Sequence, residues 1–116
     1  MIKFKNVEYQ CSMELTLSII GGKWKVLILW YLGEKTMRFS ELRKMLPRIT
    51  QKMLTQQLRE LEEDGLVNRF IYTQIPPKVE YSLTAAGKSI LPTLENLRTW
   101  GLNYANTTKE NLPLID

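Results

Sequence analysis

The stretch TQKMLTQQLRELEEDG, residues 50–65, does most to limit what this chain can become. Wound at about 100° per residue, it brings Leu54, Leu58 and Leu61 within about 60° of one another, a narrow apolar stripe. Lys52, Gln56, Arg59 and Glu63 fall opposite, with Thr55 at the edge. Thr50 stands where an N-cap belongs, and Gly65 where a left-handed C-cap belongs. The spacing predicts a helix over 51–64, held on one thin side and open on the other.

After Gly65 the pattern changes. Leu66 to Tyr72 is rich in β-branched and aromatic residues, and Val79 to Leu83 alternates apolar with polar. Between them, residues 73–78 include Pro76-Pro77, which cannot sit in a central strand. The pattern predicts a β-hairpin with a stiff tip. Upstream, Ser40 reads as the N-cap of a shorter helix with Leu42, Met45 and Leu46 facing inward, ended by Pro47. Thr36-Met37-Arg38 reads as a link or a short strand.

Further upstream, GGKWK, residues 21–25, lies between CSMELTLSII and VLILWYL. It is not a phosphate loop: Leu17 and Trp24 stand where that loop needs Gly and Ser or Thr. Nor is it a membrane edge, since Val26–Leu32 is far shorter than the roughly 20 apolar residues that span a bilayer. It reads as the join between a helix at about 13–20 and a buried helix at about 23–32 that Gly33 ends, with Trp24 in the core. Thr84 caps a last helix at about 85–105, with Ile90, Leu94, Leu97, Gly101 and Tyr104 on one stripe. Pro92 predicts a kink or break near its first third, and the chain from Asn106 reads as a poorly ordered tail.

The order helix, helix, helix, helix, hairpin, helix is that of a winged helix-turn-helix: mostly α with a small β-hairpin wing (α+β), in a single domain over 1–116. That motif places its second helix in a DNA major groove. The charge agrees. Between Lys35 and Arg59 there are seven basic residues and one acid, Glu41, and then Glu60, Glu62, Glu63 and Asp64 follow. A basic face toward a polyanion and an acidic edge turned away is the simplest arrangement of such a polarity. Gln51, Lys52, Thr55, Gln56 and Arg59 are the candidate base contacts, by the hydrogen-bonding groups they offer to base edges. Arg38, Arg43, Lys44 and Arg48, with Lys78 on the wing, are candidates for phosphate positioning.

Other classes are disfavoured. There is no histidine and only one cysteine, Cys11, which argues against a metal centre, an internal disulfide and His-based catalysis, and fits a reducing cytoplasm. MIKFKNVEYQ has no apolar run of a secretion signal, so Asn106-Thr107-Thr108 reads as a chance match to a glycosylation acceptor. No cofactor, membrane or enzymatic role is expected. A winged helix serving only protein contacts is the alternative, and the basic segment argues against it.

Taken together, GGKWK before an apolar helix, RFSELRKMLP, ITQKMLTQQLRELEEDGLV, YTQIPPKVEYSLTAAG and LRTWG resemble the HxlR-type family of bacterial winged-helix transcription regulators, similar to the MarR group. The resemblance runs from about Cys11 to Gly101. It implies a homodimer on a two-fold symmetric operator of double-stranded DNA, by default as a repressor, with GGKWK as the hinge before the DNA-binding unit. Lys23 or Lys25 is then expected near a phosphate. Met13, Leu17, Leu94, Leu97, Trp100 and Tyr104, on the first and last helices, are expected at the two-fold interface, some of them shared with the core. Cys11 matches the family's N-terminal cysteine, which in some members senses oxidants or electrophiles. Lys3 and Lys5 would favour its thiolate if they fold close; the other reading is a buried packing residue. An oxidant, or a small aromatic compound held between the last helix and the winged unit, is a candidate effector; the sequence does not show such a pocket or name the signal.

Overall fold

The computed structural model describes residues 1–107. An antiparallel hairpin comes first, β1 (Ile2–Phe4) and β2 (Val7–Tyr9). Helices α1 (Ser12–Ile20) and α2 (Lys25–Leu32), strand β3 (Met37–Arg38), and helices α3 (Phe39–Met45) and α4 (Gln51–Glu63) come next. The wing is β4 (Val67–Tyr72) and β5 (Lys78–Leu83), and the chain continues as α5 (Ala85–Ser89) and α6 (Leu91–Thr107). Strand β3 pairs with β5, so the wing belongs to a three-stranded sheet of order β3-β5-β4, with Met37 opposite Tyr81 and Arg38 opposite Glu80.

Helix α2 is the centre of the packing. Its sequence, KVLILWYL, is apolar nearly all round, which commits it to burial, and α3, α4, α6 and β5 all pack on it. Ile28, Leu29 and Leu32 meet Leu42, Leu54, Leu58, Leu61 and Leu94 in one core. The join before α2 uses both glycines. A Cβ at Gly21 would collide with the Leu17 carbonyl, and Gly22 takes φ of +89°. Trp24, half-buried, packs on the core as expected, and α2 starts at Lys25, two residues later than the sequence pattern predicts.

Helix α4 forms as its sequence predicts. Thr50 Oγ1 accepts from the Met53 N–H at 3.0 Å. At the other end Gly65 has φ of +78°, and the Leu66 and Gly65 N–H groups donate to the Leu61 and Glu62 carbonyls, a Schellman closure. Leu54, Leu58 and Leu61 are fully buried. Two lysines add polar ties. Lys25, whose side chain is only 9% exposed, reaches Glu60 on α4 at 2.9 Å. Lys5, in the β1–β2 turn, donates to the Glu63 carbonyl at 2.9 Å and pairs with Asp64 at 2.7 Å. That cation meets the negative end of the helix dipole.

Several expectations are corrected. The N-cap of α3 is Arg38, not Ser40; its N–H donates to Glu41 Oε1 at 2.9 Å, and Ser40 lies inside the helix. Met45 is 41% exposed, because the inner face of α3 is completed by Leu42 and Leu46. The last helix is two helices, parted at Ile90 just before the break that Pro92 predicts. Asn106 and Thr107 are helical, and the rest of the predicted tail lies outside the described residues. The hairpin β1–β2 was not visible in the sequence pattern. Among the described residues no single helix is long and apolar enough to cross a membrane.

The Lys25–Glu60 pair yields an asymmetric prediction. Glu60→Ala strands a buried ammonium, whereas Lys25→Met leaves a carboxylate that already sees solvent. In urea titrations Glu60→Ala is expected to cost about 2 kcal/mol, and Lys25→Met well under half of that. Equal losses would show that the pair does not act through desolvation. Leu58→Ala, at the centre of the stripe, is expected to cost about 2–5 kcal/mol.

Candidate nucleic-acid interface

The outward face of α4 carries Gln51, Lys52, Thr55, Gln56 and Arg59, all exposed and all lining one open hollow along the helix. Their exposure comes from the geometry of the leucine stripe on the other side. The Thr55 hydroxyl donates to the Gln51 carbonyl at 2.9 Å, which fixes its rotamer and leaves its oxygen free to accept. Arg43 and Lys44 share a second hollow with Gln51 where α3 meets the start of α4, and Arg48 is exposed in the turn between these helices. Cations thus flank the N-terminal half of α4. The acids at its far end are partly engaged, Glu60 by Lys25 and Asp64 by Lys5.

The other two candidate cations are placed differently. Register puts Arg38 opposite Glu80, and Lys78 lies 3.6 Å from the Glu80 carboxylate and 4.7 Å over the Tyr72 ring. A hydrogen bond from the Tyr72 hydroxyl holds the Glu80 carboxyl below the usual carboxylate range, helped by the charges of Lys78 and Arg38. The same bond to Glu80 raises the Tyr72 phenol. Glu80 is therefore ionised at neutral pH and shared between the two cations, and Lys78 is not the free charge on the wing that the sequence leads one to expect. Lys25 is likewise buried against Glu60 and far from any role at a phosphate, while Lys23 lies 4.7 Å over the Trp24 ring.

One cation was missed. Arg69 on β4 lines a cleft with Thr55, Leu58, Arg59 and Tyr81, beside the face of α4. Period-2 alternation from buried Val67 would have put residue 69 on the same side.

Cys11 is exposed at the N-cap position of α1, so it is not a buried packing residue. Lys5 is committed to the end of α4, bound to the Glu63 carbonyl and Asp64. Met13, Leu17, Leu97, Trp100 and Tyr104 are all exposed, with Trp100 stacked on Tyr104 at 5.1 Å. Leu94, at 2% exposed, belongs to the core. An open groove of about 550 Å³ between α2 and α6 is lined by Trp30, Tyr31, Leu94 and Leu97, with the Arg98–Glu95 pair at its edge.

The family model for the HxlR-like helix-turn-helix matches residues 19–109. The chain belongs to the HxlR-like family. It is 54% identical over 99 residues to YtcD, an uncharacterised HTH-type transcriptional regulator of Bacillus subtilis (strain 168), covering 85% of this chain and 79% of that one. The crystal structure of ytcD superposes with a TM-score of 0.80, covering 84% and 99% of the two chains. The oxidised form of the redox regulator HypR, 49% identical, gives 0.77 over 80% and 96%. The reduced form of the transcriptional regulator YodB from B. subtilis, 33% identical, gives 0.72 over 83% and 95%. The fold is a winged helix, and this HxlR-like protein is a DNA-binding transcription regulator.

Glu80 then sets how much charge this HxlR-like protein offers at its wing. Glu80→Gln removes one negative charge and frees Lys78 from its ion pair. In anisotropy titrations the slope of log K against log salt is expected to steepen by about one, with tighter binding to any duplex. An unchanged slope would mean that Lys78 does not face DNA.

Proposed function

We propose that the chain represses transcription as a homodimer on a two-fold symmetric operator, with helix 51–64 in the major groove and the 73–78 wing at the minor groove or backbone. The exposed face of α4 carries this reading: amide, hydroxyl and guanidinium groups stand on one side, and buried leucines fix the other. Gln51, Lys52, Thr55, Gln56 and Arg59 read base edges, the long amide and guanidinium groups bidentately. Arg43, Lys44 and Arg48 position the backbone, joined by Arg69 from the wing root. Repression is the simplest action of such a dimer, which occludes polymerase wherever its operator overlaps a promoter.

The second copy covers the exposed apolar residues of α1 and α6. Met13, Leu17, Leu97, Trp100 and Tyr104 form too much large apolar surface to leave in water. The N-terminal helix and the C-terminal helix thus serve dimerisation, and the winged unit between them serves DNA.

Oxidants regulate this dimer through Cys11. The thiol is exposed, and redox regulators are among the proteins of closely similar structure. With one cysteine per chain, the disulfide forms with Cys11 of the partner subunit or with a small thiol. The oxidant takes up the two thiol hydrogens.

Three results test this. On duplexes selected by the protein itself, Arg59→Ala and Gln56→Ala each lose about 1–3 kcal/mol of specific binding and relax the sequence preference, while Arg43→Ala flattens the salt slope by about one. Light scattering gives the mass of two chains, and Leu17→Glu together with Trp100→Ala gives that of one. Diamide changes operator binding by the unaltered protein and leaves Cys11→Ser untouched. A monomeric wild type, or a Cys11→Ser that responds like the wild type, removes the corresponding part of the proposal.

A further inference from the structure

The tip of the wing is apolar and carries no charge. Residues 73–77 are Thr, Gln, Ile, Pro and Pro, and the nearest cation, Lys78, is held by Glu80 and Tyr72. Ile75 at the turn is 100% exposed. Phe70, Ile71 and Tyr72 of the same hairpin are exposed as well, and apolar side chains gathered on one projecting element mark a contact surface where a single exposed residue does not. The wing root lies against the reading helix: Arg69 of β4 shares a cleft with Thr55 and Arg59 of α4. Tyr72, the last residue of β4, is three strand residues further on, about 10 Å away. With α4 in a major groove as proposed above, that distance carries an uncharged tip toward the neighbouring groove.

We propose that Ile75 is a wedge that enters the minor groove and opens a base step, so that part of the selectivity of this protein comes from how easily the steps flanking each half-site deform. The inference rests on the DNA-binding reading above and adds the kind of contact the wing makes. A tip without a free cation gains little from phosphates, whereas an isoleucine backed by two prolines gains by displacing water from between base edges. Pyrimidine–purine steps unstack at least cost, so these are the steps such a wedge selects.

The test uses the full chain. The unaltered protein selects duplexes from a random-sequence pool, and the tightest is labelled at both ends for energy transfer. Affinity, salt slope and end-to-end distance are then measured for the wild type, Ile75→Ala and Ile75→Met. Ile75→Ala is expected to weaken binding about fivefold or more, with the salt slope unchanged and the bend reduced. Repeated selection with this variant loses the flanking preference for pyrimidine–purine steps, and Ile75→Met, another apolar wedge, restores affinity and bend. Equal affinity and bend for Ile75→Ala would overturn the wedge while leaving DNA binding intact, and point to a protein surface as what covers Ile75. Failure of the unaltered protein to select any sequence would overturn the DNA-binding reading and the wedge with it.

Discussion

The burial of Leu54, Leu58 and Leu61 against α2 is the contact on which the remainder rests. The stripe is narrow, so more than half of the surface of α4 is left outside, and polar side chains can occupy it without competing for the core. It also dictates what α2 must be. A helix gripped by α3, α4, α6 and β5 has no polar face to offer, which accounts for the run KVLILWYL and for the burial of Lys25 against Glu60. A fully apolar centre and a thinly apolar reading helix are two sides of one packing problem.

Electrostatics then sorts the cations into two groups. Arg43, Lys44, Arg48, Lys52 and Arg59 stand exposed around α4. Lys5, Lys25, Lys78 and Arg38 face Asp64, Glu60 and Glu80. Five exposed cations are thus gathered around α4. The acids hold the cations that serve the architecture, and the exposed ones around α4 are those that the proposed DNA contact would use.

The parts legible in the sequence were those fixed by local chemistry. Thr50 and Gly65 bounded α4, the alternation after Gly65 marked the wing, and Pro92 marked the break before α6. The parts that escaped carry no marker in the local pattern. The hairpin β1–β2 turns through Lys5 and Asn6, both at positive φ, without the Asn-Gly or Asp-Gly that advertises such a turn. Lys78 looked free because its charge is offset by Glu80, two residues away on the same strand face, and by Tyr72 across the hairpin. Lys25 looked like a surface lysine because its partner is 35 residues away. The N-cap of α3 lies two residues before Ser40 and Met45 turns outward, because a seven-residue helix offers too few positions to fix its phase.

One hydroxyl joins three of these elements. Thr84 Oγ1 donates to the Gly65 carbonyl at 2.6 Å and accepts from the Gly87 N–H at 3.0 Å, while its own N–H donates to the Leu66 carbonyl at 3.0 Å. The end of α4, the end of the wing and the start of α5 are pinned at one knot. The reading helix and the wing therefore behave as the two jaws of a caliper whose opening is set in advance. If the two dock as proposed, a duplex that does not match the gap takes up the strain itself, and its stiffness then weighs on the affinity.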